Sequence, residues 1–217
     1  MSNRAARIAV LLAPLTALAI LATGPAVSHA ADDAKLETPY FAKEIAEGRL
    51  PPRAARLPQV PRVIDPRETG ETIGRHGGAM RWLMGKPKDL RMVAYYGYAR
   101  LIGYDQSYKF IPDILESFEV EGKRRFTFRL RPGHKWSDGH PFTAEDFRYV
   151  WEDVFGDDRI GKSLPRSMLV EGKGPVFEVI DEHTVRYTWA KPNPEFLPAI
   201  AGTLPLEVAM PAHYGKQ

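Results

Sequence analysis

The strongest constraint on the fold is an alternation of apolar and polar residues on both sides of one turn. It runs over 118–121 and again over 126–130, with Gly122-Lys123 between the two runs. A period of two places all the apolar side chains on one face of a strand, and glycine favours a tight turn. We therefore predict a β-hairpin with one buried face, formed by Phe118, Val120, Phe126, Phe128 and Leu130.

A helix is predicted shortly after this hairpin. Thr143 is a suitable N-cap, and Asp146 three residues later is close to a capping box. Apolar residues then recur at a spacing of three and four, and Gly156 ends the pattern. The apolar stripe consists of Phe147, Val150, Trp151 and Val154.

Weaker patterns surround these two elements. We expect a short helix within 39–48, a buried strand over 79–84, a helix or helix-loop over 90–104, a second hairpin from 176–180 and 184–189, a short helix capped by Asn193, and a last strand over 206–210. Strands and helices mix without a regular β-α-β alternation. The expected fold class is therefore α+β, with a mixed sheet, hairpins and packed helices.

The first thirty residues have the features of an export signal. Arg4 and Arg7 precede an apolar run over 8–21, and Ser28-His29-Ala30 places small residues where a signal peptidase cleaves. The run is shorter than the about 20 apolar residues that a membrane-spanning helix needs, and Pro14 interrupts it. We predict cleavage after Ala30; an uncleaved membrane anchor is the alternative.

Composition limits the classes of partner and site. The chain has no cysteine, which excludes disulfides, thiolate metal sites, a cysteine nucleophile and a lipoprotein attachment site. The leader carries two of the 30 basic residues and none of the 27 acidic ones, so the remainder is nearly neutral. Without a basic stripe, we expect no nucleic-acid partner. The expected product is periplasmic, secreted and not a lipoprotein.

Prolines define a segment between the leader and the main domain. Five of them lie within 50–67, and each fixes its own φ and favours an extended predecessor. We predict an extended arm over the surface. The expected organisation is a signal peptide over 1–30, a proline-rich arm over 31–69 and a domain over 70–217.

Three consecutive stretches resemble the signature of the extracellular solute-binding proteins of family 5, the dipeptide- and oligopeptide-binding type. They are IPDILESFEV at 111–120, FTFRLRPGHKWSDG at 126–139 and PFTAEDF at 141–147. The residues of the motif have structural roles in our interpretation. Trp136 fills a core slot, Asp138-Gly139 makes a tight turn, and Thr143 caps the helix.

The resemblance implies a two-lobed receptor that closes by a hinge motion on a solute, such as a peptide, and delivers it to an ABC permease in the inner membrane. Family members are more than twice as long, so we expect this chain to be an N-terminal part with an incomplete first lobe. The expected protein is a monomer without a cofactor. The alternatives are a truncated product that binds no ligand and, remotely, a periplasmic hydrolase, although no hydrolase motif is present.

The candidate ligand-binding residues are Arg91, Tyr95 and Tyr96. In the family, loops after the first strand build part of the cleft rim, and these side chains offer a carboxylate partner, hydrogen bonds and stacking surface. The alternative is that the tyrosines pack inside the lobe and Arg91 is solvated. His134 and His140 flank the Trp136 turn and could meet as a metal pair, but ordinary turn histidines explain them better. We predict no catalytic and no metal site.

Overall fold

The computed structural model describes residues 37–217 except 73, 92, 94–97, 158, 161–162, 203–205 and 217. The predicted signal peptide lies outside the described residues, and cleavage after Ala30 stays a prediction. In the described part of the chain, no helix is both long and apolar enough to cross a membrane.

Six strands form two antiparallel sheets within the described residues. They are β1 (Ile102–Tyr104), β2 (Phe110–Pro112), β3 (Leu115–Glu121), β4 (Arg125–Leu130), β5 (Val176–Asp181) and β6 (Thr184–Thr188). Strands β1 and β2 pair with each other, and the larger sheet has the order β3-β4-β6-β5. The helices pack beside these sheets, which confirms the α+β class.

Both predicted hairpins are present, but the buried face expected for the first is incomplete, because Val120 lies near the end of the edge strand β3 and is 40% exposed. In the first, Phe118 lies opposite Phe128 and Val120 lies opposite Phe126. Its turn has Gly122 at a φ of 56° and Lys123 at a φ of 53°, the left-handed region that a tight turn requires. The second hairpin, β5–β6, joins the first because β4 pairs with β6.

Five short α-helices are present in the described residues: α1 (Ala42–Ala46), α2 (Arg53–Arg56), α3 (Ala144–Tyr149), α4 (Phe196–Ala201) and α5 (Ala212–Gly215). The predicted capping box at α3 is confirmed. The Thr143 hydroxyl accepts from the Glu145 N–H, and the Asp146 carboxylate accepts from the Thr143 N–H. Helix α3 continues as a π-helical turn over Val150–Val154.

An aromatic cluster forms the centre of the core, between the inner face of the larger sheet and α4. Phe196 lies 4.7 Å from Trp189, 5.2 Å from Phe126 and 5.2 Å from Tyr187, measured between ring centroids. The Trp189 indole donates to the Met168 carbonyl at 2.9 Å, so its buried N–H is satisfied. Burial raises the pKa of the Tyr187 hydroxyl.

Two predicted strands are wrong. Residues 79–84 form no strand, and Met80 and Leu83 are exposed to solvent. Residues 206–210 run as a loop in which the Met210 N–H donates to the Asp146 carbonyl. A strand forms only beside a second strand that pairs with its backbone N–H and C=O groups, and an apolar run does not specify which segment that is.

The prediction for 90–104 is also partly wrong, because its last residues form β1. The stretch begins within a 3-10 helix over Pro87–Arg91, and residues 92 and 94–97 lie outside the described residues. The expected helix-loop over this stretch is therefore replaced, at its end, by a strand that pairs with β2.

The proline-rich arm contacts the domain at several points. It contains α2 and, at its end, a 3-10 helix over Pro66–Thr69, so the prediction of a wholly extended arm is corrected by two short helical segments. The Gln59 N–H donates to the Pro132 carbonyl, and Arg62 forms a 2.8 Å ion pair with Asp113. These contacts hold the arm against the chain just after β4 and against the connection between β2 and β3.

Candidate functional site

The Trp136 turn forms as predicted. The Gly139 N–H donates to the Trp136 carbonyl at 3.0 Å, and the His140 N–H donates to Asp138 Oδ1 at 2.9 Å. Gly139 has a φ of 89°, which favours glycine at this position. Trp136 is half-buried and packs edge-on against Phe142, so it borders the core rather than filling its centre.

A buried carboxylate connects this turn to two other segments. Asp146 is 2% exposed and accepts hydrogen bonds from the Trp136 indole, the Thr143 N–H and the Ala212 N–H, each between 3.0 and 3.1 Å. The sequence predicted only the cap to Thr143. The other two partners were missed because neither a side chain ten residues away nor a backbone group in α5 leaves a local pattern.

The two histidines that flank the turn have different neighbours. His134 packs edge-on against Phe142, whereas the His140 ring stacks on His213 at 3.8 Å and an angle of 7°. His213 Nε2 lies 2.6 Å from Asp138 Oδ2. No group of three or more candidate ligands with metal-binding geometry occurs among the described residues.

The contact between Asp138 and His213 predicts a pH-dependent stability. The hydrogen bond from His213, followed by that from the His140 N–H, lowers the pKa of Asp138 from 3.8. A carboxyl with a lowered folded-state pKa stabilises the fold above the unfolded-state pKa, and the contribution is lost as pH falls through the folded-state pKa. We expect Asp138→Asn to lower the melting temperature above about pH 5, and to do so progressively less below about pH 4.

Thermal unfolding between neutral and acidic pH measures this difference. Glu116→Gln is the matched control, since it removes an exposed carboxylate from β3 and should shift the melting temperature little at any pH. A difference between Asp138→Asn and the parent chain that stays constant on acidification would contradict the linkage.

A groove of 370 Å³ opens beside Trp136. Its walls come from three segments, 99–101, 134–137 and 206–209, together with Ile114, Phe142 and Ile200. Most of the lining is apolar, and Arg100, Lys135 and Glu207 supply charge. Burial, and secondarily the positive charge of Arg131, lowers the pKa of His134 in the groove wall, which favours the neutral imidazole. An apolar wall with a few polar groups can hold the apolar part of a small solute.

The predicted ligand-binding residues lie just before this groove in the chain. Arg91 is the last residue of the 3-10 helix Pro87–Arg91, while Tyr95 and Tyr96 lie outside the described residues. The chain then continues directly into 99–101, which line the groove. Sequence reasoning missed Arg100 and Trp136 as groove residues, because the motif around Trp136 indicated only a structural role.

Comparisons with known proteins agree on one family. The family model for bacterial extracellular solute-binding proteins, family 5 Middle, matches residues 109–214. The periplasmic alpha-galactoside-binding protein of Rhizobium meliloti is 29% identical over 171 residues, which cover 70% of this chain and 25% of that protein. The periplasmic oligopeptide-binding protein OppA of Escherichia coli is 30% identical over 121 residues, which cover 49% of this chain and 22% of OppA.

Solved structures show the same fold. The structure of an oligopeptide-binding protein OppA aligns with a TM-score of 0.68 and 34% identity, over 83% of this chain and 28% of that one. MelB, a periplasmic binding protein of Agrobacterium fabrum in complex with stachyose, aligns with a TM-score of 0.59 and 24% identity, over 83% of this chain and 30% of its own. The chain thus spans about a quarter of the length of the relatives it matches, from 22% to 25% for the two named above.

Proposed function

Residues 109–214 of this chain belong to the bacterial extracellular solute-binding proteins of family 5, and on that premise we propose that the protein is the periplasmic substrate-binding component of an ABC importer. The leader would direct its export, an inner-membrane ABC permease would be its partner, and the protein would act as a monomer. The relatives named above are binding proteins, which supports a binding function rather than catalysis.

We infer peptides or peptide-like compounds as the solute. The observation that carries this inference is the 34% identity to an oligopeptide-binding protein over 83% of the chain. Oligosaccharides are the second candidate, because the alpha-galactoside-binding relative aligns over 70% of the chain.

Arg91, Tyr95 and Tyr96 are the proposed solute contacts. A guanidinium group can form a bidentate pair with a peptide carboxylate, and tyrosine combines a stacking surface with a hydrogen-bonding hydroxyl. Support comes from their place in the chain, since the segment that carries them leads into the groove wall at 99–101.

Calorimetric titration of the purified chain with a tripeptide and with raffinose tests the proposal. Peptide binding is expected in the parent chain, and Arg91→Gln should weaken it by about tenfold, the loss of a charge-assisted hydrogen bond. The matched control is Arg75→Gln, which changes an arginine of the exposed segment before the groove and should leave the affinity unchanged.

Each other result overturns a specific part of the proposal. Binding of raffinose without binding of the peptide would replace the peptide class with saccharides. Absence of any heat with either probe, in a chain that is folded by circular dichroism, would contradict solute binding by this chain and favour a product without ligand binding. Equal affinity of the parent chain and Arg91→Gln would remove Arg91 from the site.

A further inference from the structure

A second pocket lies where β2, β3, β4 and helix α4 meet, and it shares no lining residue with the groove beside Trp136. Its volume is 300 Å³, at the lower end of the about 300–1,000 Å³ usual for ligand sites. The lining consists of Phe110, Val120, Lys123, Phe126, Asn193, Pro194, Leu197 and Pro198. Six of these eight side chains are apolar.

Buried and exposed side chains divide this pocket into a floor and a mouth. Phe126 is 2% exposed and Leu197 is 8% exposed, so the floor belongs to the core itself. Val120 is 40% exposed, and Pro194 and Pro198 are also exposed, so the mouth opens to solvent. In the described chain the mouth therefore presents apolar surface that a ligand with an apolar body can cover.

Lys123 is the only charged residue among the described residues that line the pocket. Its backbone is held in place, because its carbonyl accepts the Asn193 N–H at 2.7 Å. The Asn193 side-chain amide donates to the Ser167 carbonyl and accepts from the Glu195 N–H, which fixes its orientation. In the described part of the chain, no carboxylate pairs with the Lys123 ammonium group.

An apolar cavity with one uncompensated cation at its mouth is complementary to a ligand that has an apolar body and one negative charge. We propose that this pocket binds an aliphatic monocarboxylate, with its chain against Phe126 and Leu197 and its carboxylate beside Lys123. Burial of the chain supplies most of the affinity, and the ion pair selects the anion over a neutral or cationic analogue.

Three probes of equal chain length test this selectivity on the purified chain: octanoate, octanol and octylamine. Binding is followed by heteronuclear NMR titration, with the amides of β3, β4 and α4 as reporters. Saturable one-to-one binding of octanoate is expected. Its affinity should be about two- to fivefold higher than that of octanol, because an exposed ion pair contributes about that much. Octylamine should bind more weakly than octanol. Equal binding of octanoate and octylamine would overturn the proposal.

Two variants and one control separate the roles of charge and shape. In Lys123→Gln the backbone must adopt the same φ of 53°, so the substitution removes only the charge. It should reduce the affinity for octanoate to the affinity for octanol. Val120→Trp places a large ring in the mouth and should abolish binding of all three probes. Lys173→Gln removes a lysine that is exposed outside the pocket and should change nothing.

The same titrations can contradict the site. Unchanged octanoate affinity in Lys123→Gln would exclude the ion pair, and unchanged binding in Val120→Trp would place the ligand elsewhere. Octanoate perturbations spread over the whole chain without saturation would mean that the pocket has no specific ligand of this class. None of these outcomes depends on whether the chain binds a peptide at the groove beside Trp136.

Discussion

Replacing Phe196 with alanine is expected to lower the free energy of unfolding by about 3–5 kcal/mol, the usual cost of removing a buried aromatic ring. The ring is 0% exposed and contacts four other aromatic rings, with Phe128 stacked on it at 5.8 Å and Trp189 closest at 4.7 Å. Because these neighbours lie in β4, in β6 and at Trp189 directly after β6, they cannot collapse into the vacated space without moving the sheet. Urea unfolding followed by circular dichroism measures the change.

Tyr214→Ala is the matched control for this experiment. Its ring is 71% exposed on α5, so its removal should change the free energy of unfolding by less than about 0.5 kcal/mol. If Phe196→Ala cost less than about 1 kcal/mol, the aromatic cluster would not be the centre of the core, and the packing of α4 on the sheet would be wrong.

Asp146→Ala is the second substitution with a large expected effect, a loss of about 3 kcal/mol. It removes the acceptor for the Trp136 indole and for the N–H groups of Thr143 and Ala212. A buried donor left without a partner costs about 1–3 kcal/mol, and the lost N-cap contribution adds to it. The same urea experiment gives the total loss.

Amide hydrogen exchange shows which segments of Asp146→Ala open more often than in the parent chain. Since the Ala212 N–H donates to the Asp146 carboxylate, this amide should exchange faster in Asp146→Ala while the amides of β4 and β6 stay protected. Glu145→Ala is the control on the same helical turn, because its carboxylate is about half exposed and its ion pairs are worth less than about 1 kcal/mol. Equal losses for Glu145→Ala and Asp146→Ala would contradict the organising role of Asp146.

Much of the fold could be predicted from the sequence where the determining interactions are local. The β3–β4 hairpin follows from alternation and a Gly122-Lys123 turn, and all its partners lie within sixteen residues of each other. The N-terminus of α3 follows from Thr143 and Asp146, whose side chains accept from backbone N–H groups two and three residues away, respectively. In both cases the stabilising contacts are encoded within one short window.

The candidate site could be predicted only in part. The turn at Trp136 was expected, but the groove beside it is built from segments more than a hundred residues apart along the chain. Arg100 illustrates the difficulty, since its guanidinium donates to the Gly202 carbonyl, 102 residues away. The ligand contacts expected at Tyr95 and Tyr96 lie outside the described residues and stay predictions.

The β3–β4 hairpin around Gly122-Lys123 and the capped helix α3 were determined by the sequence alone, because each depends on backbone geometry and on hydrogen bonds between near neighbours. Tertiary structure alone decided that the apolar run over 79–84 has no strand partner in the described chain, and that His140 stacks on His213 rather than pairing with His134. It also decided that Asp146, a helix cap by sequence, holds α5 in place. The physical reason is the same in each case: a contact between distant segments depends on how the core brings them together, and no local pattern specifies that.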